Sequence, residues 1–164
     1  MNPHELESYL HEQIPLSQAM AVRVVSVSDD GVVLGADLAP NINHRETLFG
    51  GSASAIAILA AWSLVHSRLH SAGMARAIVI RRNSMKYEVP VDGDFTARSY
   101  LKSTADWQDF FARLEERGMA KIEVAADLEC QGKRAGQLSG EFVAFDKARY
   151  AQLPKLVSRT SQDL

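Results

Sequence analysis

Chemically capable side chains crowd into one short stretch, NHRETLFGG at Asn43–Gly51, immediately ahead of a long uncharged run. If Gly50 and Gly51 open a helix, its first turn offers unpaired N–H groups and a partial positive charge. Glycine lets a ligand approach such amides closely, because no Cβ intervenes. Fixed N–H donors of this kind stabilise negative charge developing on a carbonyl oxygen. Glu46 is the only carboxylate of the loop and a candidate general base; His44 is a weaker one. Asn43 could orient an attacking water. Each residue also has a plainer role. The glycine pair permits tight loop-to-helix packing, Asn43 caps a loop after Pro40, and Glu46 is solvated or paired with Arg45. The sequence leaves these alternatives open.

The element that presents these groups is the run from Gly51 to Val65, GGSASAIAILAAWSLV counted from Gly50. A surface helix would show a charged stripe at the 3.6-residue period. This run has none, so it must be buried on most sides. It falls short of the roughly 18–20 apolar residues of a membrane span and contains Ser52, Ser54 and Ser63. The small face Ala53, Ala57, Ala60 and Ala61 either leaves room for a ligand or packs tightly on a sheet.

The flanking segments supply the wrapping. Pro3 to about Gln13 reads as a helix with Asn2 as its cap and a break at Ile14-Pro15-Leu16. Ala21–Val27 and Val32–Leu38 are strands joined at Asp29-Asp30-Gly31, and Ala39–Phe49 is an irregular loop. The buried helix runs to about His70, with Gly73 ending it. Ala75–Tyr87 and Phe95–Lys102 are strands separated by the turn Val89–Asp94. Asp106–Arg117 is a helix carrying Trp107, Phe110, Phe111 and Leu114 on one side, and Gly118 follows it. Met119–Glu129 and Ala135–Phe145 form a last hairpin around residues 131–134. KARYAQL reads as a helical turn or two, and the tail from Pro154 as flexible. Strands joined by short turns are antiparallel. The expected fold is α+β, one domain over residues 1–164, with an antiparallel sheet wrapped around a central helix.

Composition is ordinary for a globular domain, with 46% hydrophobic and 23% charged residues among 164. A net charge of −2 argues against a nucleic-acid binder. The N-terminus lacks a secretory layout, and the single cysteine, Cys130, fits a reducing cytoplasm.

Two signatures in this order of elements resemble the hot-dog fold thioesterases. The loop from Asn43 into Gly50-Gly51 is similar to the helix start of phenylacetate-type acyl-CoA thioesterases. YEVPVDGD at Tyr87–Asp94 is similar to a turn between two sheet strands of that superfamily. The likeness covers roughly residues 20–146. Thr47–Ser52 and the inserted aromatic helix look closest to a bacterial group of thioesterase domains, some fused behind GNAT-type acetyltransferases; no such domain occurs here. The resemblance implies hydrolysis of an acyl-CoA or acyl-carrier-protein thioester by water. The implied catalytic residues are Asn43, Glu46, Gly50 and Gly51. No metal is implied, and no cofactor beyond the coenzyme A of the substrate. Two positions depart from the pattern. Phe49 stands where those enzymes carry His, and Ala57, Ile58 and Leu59 stand where they place a helix acid. The departures suggest an alternative, a domain that binds acyl thioesters without hydrolysing them. A hot-dog dehydratase fits less well, because its His and helix acid are also missing.

Arg68, Arg76, Arg81, Arg82, Lys86, Arg98 and Lys102 make a local positive field suited to coenzyme A phosphates or an acidic carrier, or else a solvated strand face. Arg81 and Arg82, being adjacent, are expected on opposite faces of their strand. Ala75–Tyr87 is expected at a sheet edge, where pairing with a second copy would give a homodimer or a dimer of dimers. In such a dimer, Asn83, Ser84 and Arg81 or Arg82 of one protomer would meet the other's loop. His44, Phe49 and Ser54 complete the expected substrate contacts, with Trp107 closing the acyl end. Neither nucleic acid nor membrane is an expected partner.

Overall fold

Local capping chemistry fixes the first helix. In the computed structural model, which describes residues 1–103, 105–146 and 148, helix α1 spans Pro3–Gln13. The Asn2 side chain accepts from the Glu5 N–H and the Glu5 carboxylate from the Asn2 N–H, both at 2.9 Å. This reciprocal pair satisfies two donors of the first turn. One turn apart, Leu6 and Leu10 are fully buried. The expected break at Ile14-Pro15 is a restart. Pro15 opens a short helix α2, Pro15–Ala19, because proline is pre-organised for a first helical position.

Strands β1 (Arg23–Val27) and β2 (Val32–Ala36) pair antiparallel across the Asp29-Asp30-Gly31 turn. The loop after β2 holds one 3-10 turn, Ala39–Asn41, and a bridge between Ile42 and Leu48. Helix α3 follows over Gly50–Ser71 and ends at Gly73, whose φ of +67° suits glycine. Strand β3 (Ala77–Tyr87) starts two residues later than expected. Next come β4 (Phe95–Leu101), helix α4 (Trp107–Arg117), β5 (Met119–Cys130) and β6 (Lys133–Phe145). Asp106 caps α4 by accepting from the Gln108 N–H at 2.8 Å, and Gly118 ends it at φ +67°. The final hairpin is tighter than expected. Gln131 and Gly132 both adopt positive φ and make a two-residue turn, and Cys130 pairs directly with Lys133.

The six strands form one antiparallel sheet in the order β1-β2-β4-β5-β6-β3, which leaves β3 at an edge. The sheet wraps α3. Ten α3 residues are buried, among them Ile56, Ala57, Ala60, Ala61 and Leu64. Small side chains let the helix lie close to β4, β5 and β6, where Ala97, Val124, Ala126, Leu138 and Phe142 complete the core. At 22 residues, α3 ends within a residue of the expected His70. By length and composition alone it could cross a membrane, yet the sheet encloses most of it. One stripe escapes: Ala55, Ile58, Leu59, Trp62 and His66 are only half buried. The turn expected in KARYAQL lies outside the described residues apart from Ala148, and the tail from Pro154 lies wholly outside them.

The outer face of the sheet is polar. Tyr100 Oη donates to Asp127 at 3.1 Å, while the Gln137 amide donates to Tyr100 Oη and to Asp127. Burial and the nearby Asp127 carboxylate raise the Tyr100 pKa above the phenol's usual 10.0. The fold therefore holds the neutral phenol more firmly than the unfolded chain does. That contribution is complete below pH 10 and is lost as pH rises through the folded-state value. Tyrosine absorbance titration should show one group ionising above the others, and Asp127→Asn should lower its midpoint; an unmoved midpoint would contradict this arrangement.

Candidate active site

Phe49 occupies the cap position of α3 with extended backbone and offers no side-chain oxygen to the first turn. The contrast with Asn2 and Asp106, which cap α1 and α4, is chemical: a phenyl ring cannot accept an N–H. The first backbone bond of the helix runs from the Ala53 N–H to Phe49 O at 3.0 Å. Among the described residues, the amides of Gly50, Gly51 and Ser52 therefore point out of the helix without an acceptor.

This helix start is held firmly. The Leu48 N–H donates to Val91 O and the Phe49 N–H to Asn41 O, each at 2.8 Å. Tyr87 Oη donates to Gly50 O at 3.3 Å. The two glycines differ in what they permit. A Cβ on Gly51 would overlap the Phe49 ring, so Gly51 serves packing. A Cβ on Gly50 would meet the Tyr87 ring at 3.6 Å, an ordinary contact. A cavity of about 330 Å³ adjoins this point, lined by Thr47, Leu48, Gly50, Ala53, Tyr87, Glu88, Val91 and Leu128 among others.

Asn43 is engaged within the loop. Its amide donates to Thr47 Oγ1 at 3.0 Å and Leu48 O at 3.2 Å, and its carbonyl oxygen accepts from the Arg45 and Thr47 N–H groups. It caps the turn that delivers Phe49 and Gly50. His44 and Glu46 are exposed on that turn, Glu46 with a left-handed φ of +60°. Among the described residues no ion pair joins Arg45 to Glu46. Ser54 is half buried on α3.

Two expectations are overturned. Arg81 and Arg82 do not diverge: a bulge between Ile80 and Arg82 inserts a residue into β3, and both guanidinium groups reach Glu141, at 3.2 and 3.4 Å. Nor does Trp107 close a cleft beside Gly50 in this chain. Its ring lies 5.3 Å from the Arg68 guanidinium and packs on Phe110 and Phe111. At ~1.5 Å per residue, Arg68 is about 26 Å along α3 from Gly51. The aromatic helix caps the far end of the core. The positive field is also largely paired: Arg68 with Asp29, Lys102 with Glu123, and both adjacent arginines with Glu141. Asn83 and Ser84 are exposed on β3, opposite Gly140 and Ser139.

Tyr87 and Glu88 join the helix start, although the sequence reading placed Tyr87 at a strand end and gave neither residue a role in the site. Glu88 lines the cavity beside Gly50, and Arg134 donates to both its oxygens at 3.0 and 3.1 Å. No local pattern signals this, because β3 delivers them to the helix start only through its pairing with β6.

An antiparallel sheet around one helix, with an uncapped helix start beside a cavity, defines a hot-dog fold of the thioesterase type. Residues 3–146 match the family described as "Putative thioesterase (yiiD_Cterm)", and the chain belongs to that family. Among solved structures, a Chlorobaculum tepidum protein shares 27% identity at a TM-score of 0.81, covering 88% of this chain and 94% of that one. A "putative thioesterase" from Shewanella oneidensis shares 28% identity at 0.78, covering 87% and 96%. The phenylacetic acid degradation protein PaaI from Thermus thermophilus, at 18% identity, TM-score 0.59 and coverage of 80% and 98%, shares the fold.

The two glycines give a direct test. Gly51→Ala displaces only the ring end of Phe49, which is 56% exposed, and Gly50→Ala adds an ordinary contact, so both should stay within about 1 kcal/mol of the parent in urea denaturation. A larger loss at either position would contradict the packing described.

Proposed function

We propose that the protein hydrolyses an acyl-CoA or acyl-carrier-protein thioester by attack of water. The observation that carries this reading is the uncapped start of α3, with the Gly50, Gly51 and Ser52 amides lacking acceptors beside a cavity. A carboxylate takes a proton from water as its oxygen adds to the thioester carbon. The resulting oxyanion is met by the Gly50 and Gly51 amides. Collapse breaks the C–S bond, and the departing thiolate takes up a proton. Glu46 on the loop and Glu88, which lines the cavity, are the candidate bases. Asn43 holds the loop in register, and His44, Phe49 and Ser54 border the substrate. The reaction belongs to the cytoplasm and needs no metal or further cofactor, and neither nucleic acid nor a membrane takes part.

The working form in this proposal is a homodimer, with pairing into a tetramer open to it. Strand β3 is a sheet edge with Val79 42% exposed, and an uncovered edge of that length invites a second copy. Pairing about a two-fold axis would bring Asn83, Ser84 and the Arg81–Arg82 pair toward the partner's loop. Light scattering at micromolar concentration should report a dimer or tetramer, and a monomer would contradict it.

A second reading, binding of acyl thioesters without efficient hydrolysis, draws on Ala57, Ile58 and Leu59, which leave α3 without an acid about two turns from its start. Thiol release from short, medium and aromatic acyl-CoAs separates the two. Turnover is expected, lowered by Gly50→Ala without loss of stability, because the added Cβ crowds the approach to the amide. Glu46→Gln and Glu88→Gln should differ sharply, the larger loss marking the base. Binding of the panel with no turnover would favour the second reading.

A further inference from the structure

A cavity of about 590 Å³ lies toward the C-terminal end of α3, away from the helix start. Its walls include Tyr9 of α1, Trp62, His66 and Leu69 of α3, and Arg76 and Ile78 where the chain enters β3. Trp62, the first α3 residue on the wall, stands about 18 Å along the helix from Gly50 at ~1.5 Å per residue. No residue is shared with the cavity beside Gly50. Three of the walls are rings packed as one slab. Tyr9 and Trp62 each stack on His66, with centroids 4.6 and 4.7 Å away, and lie 11° from parallel with each other. The Trp62 indole N–H donates to Ile78 O at 3.4 Å, which ties the slab to β3. Stacked rings held this way offer a flat apolar body a matching surface.

The fixed charge on these walls has one sign. Arg76 stays cationic at any ordinary pH, and no Asp or Glu lines the cavity. Among the described residues Arg76 joins no ion pair, and its one hydrogen bond is a long contact from Nη1 to Ala75 O at 3.4 Å. Its Nε is sealed from water and meets no acceptor. A half-buried guanidinium in this state is costly, and a carboxylate accepting two parallel N–H bonds offsets the cost. One cation is balanced by a monoanion, whereas a phosphate dianion would leave charge over. The volume falls within the roughly 300–1,000 Å³ of small-molecule sites.

We propose that this cavity binds a small aromatic carboxylate, its ring against the Tyr9–His66–Trp62 slab and its carboxylate on Arg76. No bond is made or broken there, and the site stands whether or not the helix start hydrolyses thioesters.

Calorimetry on the full chain with 2-naphthylacetate, its neutral amide 2-naphthylacetamide and acetate separates the two halves of the site. The aromatic acid should bind about tenfold or more tighter than the amide, since charge-assisted hydrogen bonds are roughly twice as strong as neutral ones. Acetate, lacking a ring, should give no measurable heat. Arg76→Gln should abolish the preference for acid over amide, and Arg76→Lys should restore part of it. That ratio does not move when a fraction of the protein misfolds. In NMR spectra 2-naphthylacetate should shift the Trp62 indole N–H signal, assigned with Trp62→Phe, and leave that of Trp107 in place. No heat with the aromatic acid, equal affinity for acid and amide, or a preference that survives Arg76→Gln overturns the proposal. So does acetate binding as tightly as the aromatic acid, or movement of the Trp107 signal alone. Affinity for the acid that falls as protein concentration rises assigns the cavity to an interface between copies and overturns it as well.

Discussion

Burial of α3 is the constraint from which the architecture follows. Ile56, Leu64 and their neighbours are fully removed from water, and each large aliphatic side chain contributes about 1.5–3 kcal/mol by that transfer. A helix apolar on nearly every face cannot be satisfied by one flat partner, so the sheet must curve around it. The run of small residues sets how closely the strands approach. Polar side chains then collect on the outer sheet face, where Tyr100, Asp127 and Gln137 satisfy one another.

In the function proposed, the same helix carries the chemistry at its start, where its cap is left open. Phe49 contributes a ring beside Gly51 and no side-chain acceptor, while the Leu48 and Phe49 N–H groups and the Tyr87 hydroxyl anchor the helix start. Rigid placement and free donors are the combination an oxyanion requires, since donors that need not reorganise stabilise charge best. The face that runs on from Gly51 toward Trp62 is the one the sheet does not wrap.

Charge is arranged differently from its distribution along the chain. Glu141, with a side chain only 12% exposed, draws in both Arg81 and Arg82 at the bulge of β3. A largely desolvated carboxylate needs its counter-charges, so these arginines stabilise the sheet edge as well as lending it positive potential.

Much of the architecture was legible from local chemistry. The capping signals of α1 and α4, the glycines that end helices, and the β-rich runs all act over a few residues, and the structure keeps them. The uncharged run demanded an enclosing sheet, and the Asn43–Gly51 loop announced an unusual helix start. What lay beyond the sequence depends on partners distant in the chain. The bulge that turns Arg81 and Arg82 onto Glu141 arises from register with β6. Glu88 reaches the cavity beside Gly50 because β3 pairs along β6, and Trp107 leaves the cleft because α4 packs at the opposite end of α3. Spacing along the chain encodes faces and caps; which faces meet is set by pairing and burial across the whole sheet.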